Sequence, residues 1–119
     1  MNIYESSEDY LESILILKNK NGKVRSIDIV SDLHFSKPSV SVAMKKLREN
    51  GYINVDEKGY ITLTDKGYEI AAKTYDRHVT LTKFFVSLGV SEEIALKDAC
   101  RVEHDLSDET FEALKKQIK

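Results

Sequence analysis

A chain of 119 residues, 41% hydrophobic and 32% charged, is long enough for one core or for two small lobes sharing a helix, and its composition is that of ordinary globular protein. A formal net charge of −2 excludes a uniformly basic nucleic-acid binder, yet the eight Lys and Arg from Lys18 to Arg48 face only Asp28 and Asp32, so that segment carries +6. A single cysteine excludes an internal disulfide, no apolar run reaches the roughly 18 residues of a membrane span, and the N-terminus does not read as a signal, so a cytoplasmic protein with no membrane partner is expected.

The first helix is predicted to start after Ser6 or Ser7, either of which can cap it, with Tyr10, Leu11, Ile14, Leu15 and Leu17 as its buried stripe and Asn21-Gly22 as its stop. Asp9 and Glu12 sit three apart in the first turn. They suit the positive end of the helix dipole, and equally a shared cation. Ser26 is the expected cap of a short second helix with Ile27, Val30 and Leu33 on its inner side, and His34-Phe35-Ser36 is a tight break before a third. Ser36 caps that third helix, Pro38 lies in its first turn, and Asn50-Gly51 ends it. Val40, Met44 and Leu47 mark its buried side. Lys37, Ser39, Ser41, Val42 and Lys45 lie opposite, where small polar and basic groups can rest against a duplex.

Tyr52–Val55 and Tyr60–Leu63 alternate as strands around a turn closed by Gly59, with Lys58 at its tip. A basic helix followed directly by a hairpin is the order of a winged helix. Arg25 and Lys46 extend the basic surface. Thr64 then caps a long helix running to about Leu88 and closed by Gly89, with Tyr68, Ala71, Ala72, Tyr75, Val79, Phe84, Phe85 and Leu88 as apolar contacts and His78 among them. Ser91 starts a fifth helix and Ser107 a sixth, in which Phe111, Leu114 and Ile118 continue an apolar stripe and Phe111 forms a staple with Leu106.

The fifth helix carries the densest chemistry. Cys100, Glu103 and His104 fall within an arc of about 100° at the edge of a stripe made by Ile94, Ala95, Ala99, Val102 and Leu106, which is a metal-ligand spacing. Taken alone, it is equally a buried Cys beside a solvated Glu and His. The predicted architecture is mostly α with a small β-hairpin wing: a winged helix-turn-helix domain over residues 1–64, joined by a long helix to a helical dimerisation domain over 65–119.

In order, Ser6-Ser7-Glu8-Asp9-Tyr10-Leu11-Glu12, the winged helix, Arg77-His78 and Ala99-Cys100-Arg101-Val102-Glu103-His104 resemble the diphtheria toxin repressor family of iron- and manganese-dependent transcriptional regulators. The resemblance covers nearly the whole chain. It implies metal ligation by Asp9, Glu12, His78, Cys100, Glu103 and His104, and a metal-loaded homodimer that binds a palindromic operator in double-stranded DNA and represses metal-uptake genes. DNA contacts are expected from Arg25, Ser36, Lys37, Pro38, Ser39, Ser41, Val42, Lys45, Lys46 and Lys58, of which Ser36, Pro38, Ser39 and Ser41 match the family's recognition-helix positions. Asp9 matches the manganese pattern and Cys100 the iron pattern, so Fe²⁺ and Mn²⁺ both stand as cofactors, with Co²⁺, Ni²⁺ or Zn²⁺ as substitutes. Thr82 and Leu96 stand where the iron type's ancillary site has Glu and His, and Val42 where it has a base-reading Gln. A second, manganese-type site sharing Glu12, Glu103 and His78 is compatible with the pattern. The larger iron-type members add an SH3-like domain that 119 residues do not hold. The alternative is a metal-independent winged-helix regulator with Cys100 as a redox sensor. An enzyme with a small-molecule substrate is not expected, since no Gly-rich oxyanion loop accompanies Cys100 and His104.

Overall fold

The elements form where short polar caps meet apolar periodicity. In the computed structural model, which describes residues 5–118, these are α1 (Glu5–Asn21), α2 (Ser26–Leu33), α3 (Lys37–Glu49), β1 (Ile53–Val55), β2 (Ile61–Leu63), α4 (Asp65–Ser87), α5 (Glu92–Val102) and α6 (Asp108–Gln117). The molecule is a winged helix-turn-helix unit followed by a helical unit. The two compact units divide inside α4, one running through Ala72 and the other from Lys73.

In the N-terminal unit, Leu11 and Ile14 of α1, Ile29 of α2 and Val40, Met44 and Leu47 of α3 close a core with Ile53 and Ile61 of the hairpin. Each such side chain contributes about 1.5–3 kcal/mol by leaving water. The strands pair antiparallel, Ile53 opposite Leu63 and Val55 opposite Ile61. Asp56 fixes the wing turn, its Oδ1 accepting the N–H of Lys58 and of Tyr60, each at 2.9 Å, and Gly59 takes φ +84°. At the wing's base, Thr64 caps α4 by accepting the Gly67 N–H at 3.2 Å, and its hydroxyl donates to the carbonyl of Gly51 at 2.7 Å. Gly67 is obligatory there. A Cβ on it would lie 2.0 Å from the carbonyl oxygen of Tyr52.

Several expectations shift at element ends. Glu5 is already helical, so neither Ser6 nor Ser7 starts α1, and whatever caps it lies outside the described residues. Arg25, not Ser26, is the N-cap of α2, because the Asp28 carboxylate turns back to accept the Arg25 N–H at 2.9 Å. Ile27 is exposed. The inner face of α2 is instead Ile29, with Val30 and Leu33 packed against the core, since these three fall within about 100° of arc and Ile27 lies outside it. Each strand starts one residue later than expected, at Ile53 and Ile61, although Tyr52 is buried. The helix stops at Asn21-Gly22, Asn50-Gly51 and Gly89 fall as read, and His34 closes α2 in the left-handed region at φ 58°.

In the C-terminal unit, Ser91 caps α5 and Ser107 caps α6 as expected. The buried residues of α5 are Ala95 and Ala99, whereas Ile94 is 48% exposed. Tyr68 and Tyr75 of α4, and Leu88 just past its end, are exposed rather than packed; from Lys73 onward the buried residues of α4 are Leu81 and the polar Thr74, Arg77 and Thr80. α5 also ends earlier than the motif predicts. Glu103 is its C-cap and His104 lies beyond it in the turn to α6. No described helix is long and apolar enough to cross a membrane.

Candidate metal centre and nucleic-acid interface

Four of the six expected ligands sit in the C-terminal unit, and there they converge. Glu103 keeps helical dihedrals and donates its N–H to the Ala99 carbonyl at 3.0 Å, so the spacing from Cys100 survives although the helix is ending. Its carboxylate is fully buried, with Oε2 3.0 Å from Nδ1 of His78, one turn-face away on α4, and Oε1 3.4 Å from Nε2 of His104. The Cys100 sulfur lies 3.6 Å from the same Nδ1. Thr82 donates to the carbonyl of His78 at 2.7 Å and steadies that turn of α4.

The electrostatics follow from this packing. Cys100 first, and then Glu103, push the His78 imidazole up to about 10 against the opposing effect of burial, so the ring holds a proton between two electron-rich partners. Glu103 Oε1 is buried and lacks a hydrogen bond of proper geometry. A buried carboxylate oxygen left this way is costly unless a cation or donor meets it. Two imidazoles, a carboxylate and a thiol form a donor set suited to a first-row transition metal, and the Glu103 oxygen without a hydrogen bond is where such a cation would be satisfied. The residues fit a metal.

Sequence patterning did not single out Arg77 for any role. It is buried, donates from Nη1 to the carbonyls of Glu103 (3.0 Å) and Leu106 (2.6 Å), and from Nη2 to Asp108 Oδ1 (2.6 Å). Only burial reveals it: it lies three residues after buried Thr74 and four before buried Leu81, on the inner stripe of α4. Lys73, and then Arg77, hold the Asp108 carboxyl below the usual carboxylate range. The other two expected ligands, Asp9 and Glu12, stand on α1 in the N-terminal unit, both half-buried.

The nucleic-acid face belongs to that N-terminal unit. Ser36 caps α3 through the Ser39 N–H at 3.2 Å, and Lys37, Pro38, Ser39, Ser41, Val42, Lys45 and Lys46 are exposed along it. Ser41, Val42 and Lys45 flank a groove of about 320 Å³ that also touches Ser26, Arg48 and Val55. Lys58 is exposed at the wing tip. Arg25 and Lys23 lie 4.5 and 4.8 Å from the ring centre of Tyr60, which orders two cations beside the hairpin.

The family model of the iron-dependent repressor N-terminal DNA-binding domain matches residues 2–61, and that of the iron-dependent repressor metal-binding and dimerisation domain matches residues 64–119. The chain belongs to the diphtheria toxin repressor family. Its members are metal-dependent transcriptional regulators that bind DNA, and this chain is one of them, with a winged-helix unit for DNA and a helical unit for metal and dimerisation. It is 42% identical to an uncharacterised helix-turn-helix transcriptional regulator of Methanocaldococcus jannaschii over 113 residues, covering 93% of this chain and 90% of that one. It is 35% identical to the transcriptional regulator MntR of Escherichia coli over 111 residues, covering 93% of this chain and 72% of that one. A solved manganese-dependent transcriptional repressor in complex with manganese superposes with a TM-score of 0.86 at 27% identity, over 93% of this chain. The chain spans about half of that repressor's length, 51%.

Proposed function

We propose that this chain is a cytoplasmic homodimeric repressor of metal-uptake genes that binds a palindromic operator when Fe²⁺ or Mn²⁺ occupies a centre built from Asp9, Glu12, His78, Cys100, Glu103 and His104. The observation that carries the proposal is the buried Glu103 carboxylate, met at one oxygen by His78 and lacking a hydrogen bond at the other. The functional boundary is proposed at Thr64, so that residues 1–64 bind DNA and residues 65–119 bind metal and dimerise. The family models support it by meeting between residues 61 and 64.

Asp9, Glu12, His78, Cys100, Glu103 and His104 would hold the cation, which would supply positive charge to offset their clustered carboxylates. The chain's own residues do the rest. Glu103 orients the His78 ring, Cys100 supplies a thiolate that favours Fe²⁺, and Asp9 and Glu12 supply hard oxygens that suit Mn²⁺; Co²⁺, Ni²⁺ or Zn²⁺ act as substitutes. With those carboxylates unneutralised, their repulsion disfavours the same arrangement. At about 100 times its dissociation constant a cation favours the bound form by about 2.7 kcal/mol, enough for a switch of roughly a hundredfold. On DNA, the exposed residues of α3 enter the groove while Arg25 and Lys58 meet phosphates. Val42 offers only apolar contact, so readout leans on phosphates and shape.

The test is fluorescence anisotropy on DNA from upstream of the protein's own gene and neighbouring transporter genes, under anaerobic conditions, with chelator, Mn²⁺ or Fe²⁺. Binding confined to the metal samples is expected. Equal binding with chelator, lost on peroxide treatment, would instead favour the redox reading, for which the exposure of Cys100 is the supporting observation.

A further inference from the structure

Consecutive residues of α4 hold Glu103 from two ends. His78 meets its carboxylate at 3.0 Å, and Arg77 donates to its carbonyl at 3.0 Å. Through Leu106 and Asp108 the same guanidinium reaches the far side of the turn and the first residue of α6. It is 7% exposed and lies 5.2 Å from the ring centre of Phe111. The last carbonyls of a helix are usually left to water or to a surface lysine, and burying an arginine is costly unless its donors are used in a fixed geometry. The two carbonyls it holds bracket the segment from Glu103 to Leu106, which lies outside regular helix and bears both Glu103 and His104.

We propose that Arg77 is a positioning residue of the metal centre, holding the α5–α6 turn so that Glu103 and His104 keep their place before a cation arrives. The proposal rests on the metal-centre reading above. A planar guanidinium with several fixed donors spans three acceptors that the single ammonium of a lysine does not span in one geometry. Releasing the turn therefore leaves the ligands present but disordered, and loss of such outer partners costs about 10- to 100-fold in metal affinity. A role confined to tying α4 to α6 predicts a different pattern: lower thermal stability, with unchanged affinity in the molecules that remain folded.

The experiment titrates Mn²⁺ by calorimetry, and Co²⁺ by its thiolate absorption, into the 119-residue chain and its Arg77→Lys, Asp108→Asn and Lys73→Ala variants, alongside helical circular dichroism and metal-free Tm. Arg77→Lys is expected to stay helical and bind Mn²⁺ about 10- to 100-fold more weakly. Asp108→Asn takes the charge from one anchor of the guanidinium while leaving an acceptor oxygen, at a side chain 71% exposed, and is expected to weaken binding by a smaller factor. Lys73→Ala removes only the other cation on Asp108 and is expected to match wild type. Wild-type affinity in folded Arg77→Lys overturns the proposal, as does an equal loss in Asp108→Asn and Lys73→Ala. Should Arg77→Lys fail to fold, Asp108→Asn decides: weaker binding at unchanged helicity upholds the role, and wild-type binding removes it. A wild-type chain that takes up neither metal refutes the metal centre itself, whereas metal-binding wild type with unaffected variants refutes only the part given to Arg77.

Discussion

Glu103, His78 and Cys100 constrain one another, and two expected outcomes follow at the scale of single residues. The His78 ring is held protonated up to about 10, above its ordinary 6.5, by Cys100 and Glu103. Without metal its charged form therefore stabilises the fold fully below about pH 6.5, and that contribution is lost as pH rises through about 10. Ligation needs the proton gone, so Mn²⁺ affinity should climb from about pH 6.5 to 8.5 with protons released per metal bound. Calorimetry in buffers of different ionisation enthalpy measures both; a flat affinity without release contradicts the assignment. Cys100→Glu replaces a soft donor by a hard one, and competition titrations should show preference moving from Fe²⁺ toward Mn²⁺. The pairing of Cys100 with Glu103 was legible because helical spacing fixes it. Arg77 was not, because a charged residue in a helix reads as solvent-facing until its neighbours Thr74 and Leu81 are known to be buried.

Among the elements, the hairpin and the start of α4 behave as one piece. Gly67 sits where its helix presses on the Tyr52 carbonyl, the same oxygen that accepts the Thr64 N–H at 3.1 Å. Gly67→Ala should therefore force the wing base aside and cost about 1–3 kcal/mol, seen as a lower Tm with the C-terminal helices intact. An unchanged Tm would mean that the wing base yields freely. Helix existence and most caps were readable here, since Ser36, Thr64, Ser91 and Ser107 each accept a backbone N–H just as such residues do in isolation. Where the reading slipped, one cause was local and another long-range. The Asp28 carboxylate moves the cap of α2 to Arg25, and the Val24 carbonyl accepts the Ile61 N–H at 2.8 Å, a pairing that no local pattern announces.

For the molecule as a whole, a net charge of −2 conceals a basic face. The +6 carried between Lys18 and Arg48 lies in the unit that presents α3, so DNA affinity should fall steeply with salt. Lys45→Ala should weaken binding almost uniformly across operator variants and reduce the salt slope by about 1, measured by anisotropy at several ionic strengths. An unchanged slope would move the DNA face elsewhere. The C-terminal unit exposes Val86, Leu88, Ile94 and Leu96, apolar area of the kind a dimerisation domain covers with a second copy. That two-unit plan was legible from element order. Which apolar residues a lone chain leaves outside was not, because periodicity marks a stripe without saying whether the same chain or another one covers it.

Burial across the donor set is uneven, and under the proposed function this has a consequence in time. Glu103 and His104 are enclosed, while Cys100 is open to solvent. A competing thiol or chelator therefore meets the sulfur first, and the cation's residence time is governed at that edge. Small thiols that take the place of that sulfur should speed release and, by competing for the cation, also lower its apparent affinity, so that the redox state of the surroundings sets how quickly the response decays.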